Sequence, residues 1–168
     1  MMNFNFNVSE LIFILPELFL LSAISFILLF DLFVSEKYKK YSYHLSQLAL
    51  IITGFLAFNL IGESATIFSG TFVLDNLGST FKVFVLGFSV IALVYSRQYL
   101  IVHELLRNEY FILALMSILG MMVMISGHSL LTLYLGLEIM SLSLYALIAT
   151  ARERAFAIEA ALKYFVLG

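Results

Sequence analysis

The sequence predicts an all-α integral membrane protein, a bundle of five complete transmembrane helices and the start of a sixth. Three observations predict it. Hydrophobic residues make up 62% of the 168 and charged residues 12%, with a mean hydropathy of +1.05. A soluble domain carries roughly 25% charged residues, so this chain cannot clothe a globular surface. The apolar residues come in continuous runs rather than alternating with polar ones, which selects helices over a β-barrel. Seven of the nine Lys and Arg, finally, fall between the runs at regular intervals. The 17 Phe and 9 Tyr exclude a disordered chain. A net charge of −2 gives no basic field for nucleic acid. With no Cys, the chain can hold no disulfide, thiolate-bound iron–sulfur cluster or cysteine-bound zinc.

A helix needs about 20 apolar residues to cross the hydrocarbon core. The first such run covers 11–34 and carries Pro16 near its start, where proline is best tolerated, together with Glu17 and Asp31. The next complete runs are 43–61, 77–96, 110–126 and 130–150, and 155–168 begins a sixth. All belong to a single transmembrane bundle over 1–168. Glu17 reads as a solvated helix start and Asp31 as an electrostatic partner of the lysines that follow. Lys82 lies close enough to the end of its helix to snorkel, or else supports function from inside the bundle. The N-terminus lacks the basic segment and small-residue cleavage site of a signal peptide. Asn7-Val8-Ser9 matches the glycosylation sequon, a three-residue pattern common by chance.

Basic residues set the expected orientation. Lys37, Lys39 and Lys40 follow the first run, Arg97 and Arg107 the third, and Arg152 and Arg154 the fifth. The alternate connections, one with Glu63 and the other the short Gly127-His128-Ser129, have no Lys or Arg. This places the N-terminus outside and the basic loops in the cytoplasm or matrix.

Ionisable groups inside the runs are the candidate functional residues, because each is expensive in lipid and usually faces a protein or water-filled interior. Glu138 sits eight residues into the fifth run, about 12 Å from its end. Tyr134, Glu138, Ser141 and Tyr145 recur at helical spacing and share one stripe, with Leu, Ile and Met opposite. This seam fits a proton-relay carboxylate; it also fits an interhelical hydrogen bond or ion pair that only holds helices together. Lys163 is eight residues into the sixth run, with Glu159 one turn earlier and Ala155, Ala157, Ala160 and Ala161 allowing close approach of another helix. Burial disfavours its charge and the carboxylate favours it, so it could exchange protons, or merely form a structural pair. Met121, Met122 and Met124 read as packing. His128 reads as a solvated turn residue, and His44 and His103 as interfacial ones. The three His lack ligand spacing, which argues against a metal site, and no phosphate-binding, dinucleotide or nucleophile motif occurs. No catalytic, cofactor-binding or metal-ligating residue is therefore expected in this chain.

Several of these residues carry a resemblance. Leu135-Gly136-Leu137-Glu138-Ile139-Met140-Ser141-Leu142-Ser143-Leu144-Tyr145 resembles the fifth-helix signature of the antiporter-like membrane subunits of respiratory complex I. Glu159-Ala160-Ala161-Leu162-Lys163-Tyr164-Phe165-Val166-Leu167-Gly168 is similar to the start of the sixth helix in the subunit N family of NADH-quinone oxidoreductases, called NADH dehydrogenase subunit 2 in mitochondria. Leu15-Pro16-Glu17-Leu18, Val73-Leu74-Asp75 and Phe81-Lys82 fit the same family.

The resemblance implies an antiporter-like bundle that takes part in proton translocation coupled to electron transfer from NADH to quinone. It implies Glu138 and Lys163 as proton-translocation residues; the residue pattern read above adds Glu159, Tyr134, Ser141, Tyr145 and Lys82 as candidate supporting residues. NADH, FMN, the iron–sulfur clusters and quinone would belong to other subunits. The partners would be other membrane subunits of complex I and the lipid bilayer of a bacterial or mitochondrial inner membrane, with no nucleic acid. Family members continue to a broken seventh and a broken twelfth helix, and 155–168 reaches only about 21 Å into a ~30 Å core. A continuation or a second chain is therefore expected to complete the bundle after Gly168. Two other readings stand beside this one. The first is a multisubunit cation/proton antiporter component, where the signature more often reads Trp-Glu, whereas this chain has Leu-Glu and no Trp. The second is a purely structural membrane subunit.

Overall fold

The computed structural model describes residues 8–33, 41–103, 105–150 and 155–167. Among the described residues seven α-helices follow one another: α1 (Val8–Phe13), α2 (Leu15–Phe33), α3 (Tyr41–Asn59), α4 (Asn76–Val102), α5 (Asn108–Ser126), α6 (Leu130–Ala149) and α7 (Ala155–Leu167). Between α3 and α4 a hairpin pairs β1 (Ala65–Ile67) antiparallel with β2 (Phe72–Leu74), Ile67 opposite Phe72. The architecture is an all-α membrane bundle with this one short hairpin at an end.

Four described helices, α2, α4, α5 and α6, are long and apolar enough to cross a membrane. The expected five complete spans thus become four by this measure. The 19-residue α3 is as long as α2 and α5 and falls short in hydropathy. Its polar residues turn inward. Ser42, Ser46 and Thr53 are fully buried, and Ser46 and Thr53 donate to the carbonyls of Ser42 and Ala49 on their own helix. A hydroxyl satisfied in this way can sit inside an apolar bundle.

Two predicted boundaries are corrected. The run 11–34 is not one helix: α1 ends at Phe13, Ile14 is a turn, and α2 starts at Leu15. Pro16 has no N–H to give to the Ile12 carbonyl, which breaks the ladder there, while it suits the first turn of α2. The run 77–96 is too short. Helix α4 has 27 residues and carries Arg97 within it rather than in a loop. The Arg97 guanidinium lies 4.3 Å from the centre of the Tyr43 ring, and Tyr43 meets Phe111 edge-on at 5.4 Å. This stacking gives the cation a face to rest on and lets the helix run past it. Asp75 caps the other end, its Oδ1 accepting from Gly78 N at 2.8 Å. Ser129 caps α6 in the same manner through Thr132 N at 3.1 Å.

Helix α5 is the centre of the bundle. Its Phe111, Leu115, Ile118 and Met122 recur at helical spacing and are buried with Leu20, Ile24 and Ile27 of α2, Leu50 of α3, and Leu86 and Leu93 of α4. Helix α6 packs closely along the far side of α5, and α7 lies against α6 at the edge. The contact between α5 and α6 is made at Gly120 and Gly136, whose missing side chains let the two backbones touch. Met122 is buried in the central core and Met124 lies against Gly136, as packing residues.

Candidate functional site

Helix α6 presents two faces. Gly136, Met140 and Ser143 lie toward α5, with Ser143 buried and its hydroxyl donating to Ile139 O at 2.6 Å. Glu138 is two residues from Gly136, and so about 200° around the helix, on the side turned away from α5. The face opposite the seam is therefore built from small residues and Met rather than from Leu, Ile and Met alone.

On the seam, Tyr134 is exposed and interacts through its hydroxyl with the Glu138 carboxylate one turn on. Ser141 is buried, and its hydroxyl donates to Leu137 O at 2.8 Å, which anchors it to its own backbone. Tyr145 reaches the next helix. Its ring stands edge-on to Tyr164 at 4.7 Å and to Phe165 at 5.5 Å, both on α7. Tyr164 and Phe165 immediately follow Lys163, so the seam that starts at Glu138 runs toward the lysine-bearing helix. Glu138 itself is half-buried, and among the described residues it has no lysine or arginine within ion-pair distance.

On α7, Lys163 Nζ is 2.6 Å from Glu159 Oε1, with the two side chains 68% and 62% exposed. Ala157, Ala160 and Ala161 are the partly buried positions, consistent with small residues facing α6. The Glu159–Lys163 pair thus lies on the open side of the described bundle.

The structure puts two other charged residues where the sequence reading did not. Lys82 does not snorkel, and Glu17 is not solvated. They are 1% and 5% exposed, and Lys82 Nζ is 2.5 Å from Glu17 Oε1. The Phe72 ring of the hairpin covers the ammonium with its centre 5.2 Å away. The pair joins α2 to α4, which pack chiefly on α3 and α5 rather than on each other. Asp31 accepts a hydrogen bond from Ser42 Oγ. The lysines at 37, 39 and 40 lie outside the described residues, as do Arg152, Arg154 and Gly168. His128 serves through its backbone, its N–H donating to Thr71 O at 3.0 Å. Among the described residues no group of three His, Asp or Glu is placed to hold a metal ion.

Comparison with known proteins places this geometry in context. The family described as NADH:quinone oxidoreductase/Mrp antiporter, transmembrane, matches residues 127–168, which hold Glu138, Glu159 and Lys163. The NADH-quinone oxidoreductase subunit N of Ruthia magnifica is 65% identical over 97% of this chain and 34% of its own length. That of Halorhodospira halophila is 48% identical over 92% of this chain and 32% of its own length. The chain therefore spans about a third of the length of the curated relatives it matches. A chain of respiratory complex I from Thermus thermophilus, solved with bound aureothin, shares the fold with a TM-score of 0.72. It is 24% identical, and the match covers 90% of this chain and 32% of that one.

Proposed function

We propose that this chain, which belongs to the subunit N family of NADH-quinone oxidoreductases and corresponds to its N-terminal third, takes part in proton translocation coupled to electron transfer from NADH to quinone. The observation that carries the reading is the α6 seam. A carboxylate near the middle of an apolar helix is turned away from the packed core and is continued by Tyr145 onto the helix that holds Lys163. A carboxylate so placed responds to the charge set beside it: a cation draws the proton off, and loss of that cation lets the proton return.

In this role Glu138 and Lys163 hold and pass protons, Tyr134 and Tyr145 orient the seam, and Ser141 fixes its backbone. The chain contributes no redox centre. NADH, FMN, iron–sulfur clusters and quinone are handled by other subunits, with which it assembles in an energy-conserving inner membrane. Its N-terminus and hairpin lie on the outer side. The remaining two thirds of the family's length supply the cationic partner of Glu138.

The relatives named subunit N favour this reading over a cation/proton antiporter, to which the matched family description also extends. The test is co-purification. The full-length subunit carrying an affinity tag is expected to bring down NADH:quinone reductase activity. Recovery with a cation/proton exchange activity and no NADH oxidation would overturn the assignment.

A further inference from the structure

The Glu17–Lys82 pair takes no part in the scheme above, yet it differs from a plain ionic staple. One carboxylate oxygen, Oε1, is engaged by Lys82 Nζ at 2.5 Å. The other, Oε2, is buried without a hydrogen-bond partner. Ser79 lies one turn before Lys82 on the same face of α4, is 1% exposed, and its Oγ is likewise buried and unpartnered. Elsewhere in the bundle the buried hydroxyls of Ser46, Thr53 and Ser117 donate to their own helix backbone. Buried polar atoms are nearly always satisfied, and an exception calls for an explanation.

A free carboxylate oxygen and a free hydroxyl beside a desolvated ammonium are the components of a proton site. The oxygen can take the proton, the hydroxyl can hand it on, and the cation opposes its retention. The site also has a cover. Phe72 shields the ammonium, and the hairpin that carries it is tied to the α5–α6 turn by the Phe72–Gly127 bridge and the His128 N–H to Thr71 O bond. No residue of 65–74 is ionisable. The other ionisable groups on neighbouring described elements at this end are Glu10 of α1, Asp75, occupied in capping α4, Glu63, exposed before β1, and His128.

We propose that Glu17, Ser79 and Lys82 form a second proton-holding site at the hairpin end of the bundle, with Phe72 as its cover. The proposal rests on the proton-translocating reading above. In the loading step a proton binds Glu17 Oε2 and forms a neutral carboxylic acid. The Lys82 ammonium keeps its own protons, so the pair goes from zero to one positive charge. Release takes the proton from Oε2, with the unpartnered Ser79 hydroxyl as its acceptor when the two come within hydrogen-bond reach, and restores the neutral pair. The uncompensated ammonium makes the loaded state short-lived, as suits a release point rather than a store.

The test uses the complete complex with the full-length subunit, reconstituted in vesicles, scoring protons pumped per NADH oxidised. A Glu17→Met, Lys82→Met double variant removes both charges and keeps the bulk, so no lone charge is left buried. It is expected to assemble and to lose at least half of the pumping per NADH. Normal pumping in the assembled double variant would reduce the pair to a staple and overturn the proposal. Ser79→Ala leaves the ion pair intact and is expected to assemble and to lower the pumping rate severalfold. Should the double variant fail to assemble, unchanged pumping in Ser79→Ala overturns the proposal by itself. Glu138→Gln is measured in parallel. If it alone loses pumping, this inference fails and the reading beneath it stands; if it pumps normally, that reading fails.

Discussion

Gly136 on α6 and Gly120 on α5 meet backbone to backbone: a Cβ built on Gly120 would stand 2.7 Å from Gly136 O and 2.6 Å from Met140 N. Neither contact is with a flexible side chain, so the helices themselves must move to admit a methyl group. The packing of α6 holds Glu138 in place, and the glycine pair therefore sets the position of the seam from the opposite face of the helix.

Gly120→Ala and Gly136→Ala are accordingly expected to destabilise the subunit by about 1–3 kcal/mol, the usual cost of overpacking. Gly87→Ala in α4 is the control, because a Cβ there meets nothing within 4 Å. It should be neutral, or stabilising by about 0.5–1 kcal/mol through helix propensity. Thermal stability of the assembled complex, followed by size-exclusion chromatography, checks all three. Equal loss at Gly87 and Gly120 would contradict the close-contact account.

Lys163 and Glu159 are expected to behave differently from each other. An exposed i,i+4 pair contributes about 0.2–0.5 kcal/mol to a helix, so Glu159→Gln and Lys163→Gln should both assemble with near-normal stability. Lys163→Gln is expected to reduce proton pumping severalfold, and Glu159→Gln less so. Stability and pumping are read on the same preparations. A Lys163→Gln complex that pumps normally would confine this residue to its ion pair.

The seam was legible in the sequence because helical periodicity is local: Tyr134, Glu138, Ser141 and Tyr145 declare a shared stripe before any neighbour is known. The Glu159–Lys163 pair, one turn apart on α7, was legible for the same reason. The Glu17–Lys82 pair was not. Its partners are 65 residues apart, and their meeting depends on how α2 and α4 are set around α3 and α5. The available signal was a carboxylate and an amine at similar depth from one end of two apolar helices. The hairpin escaped because its strands have three residues each. The Ser69-Gly70-Thr71 stretch between Ala65-Thr66-Ile67 and Phe72-Val73-Leu74 was its only mark. Gly120 and Gly136 stand in their own helices as isolated glycines; only the crossing of α5 on α6 gives them meaning.

Orientation is open to direct measurement, since the chain has no native Cys to remove. Ser69 at the hairpin tip and Val102 at the end of α4 are both exposed and lie at opposite ends of α4. In sealed membranes a cysteine at Ser69 is expected to react with an impermeant thiol reagent added outside, and one at Val102 only after the membrane is opened. The reverse pattern would invert the assigned topology.

The claim that Glu138 carries protons is tested most directly by Glu138→Gln in the full-length subunit of the assembled complex. The substitution keeps the shape and most of the hydrogen bonding of the side chain and removes its titration. Assembly is scored on a native gel and pumping by dye quenching in vesicles, with Glu138→Asp alongside. The account predicts normal assembly of the Gln variant with most of its coupled pumping and quinone reductase turnover lost, and substantial retention of both in the Asp variant. Full pumping per assembled complex in the Gln variant would contradict it and remove Glu138 from the proton path.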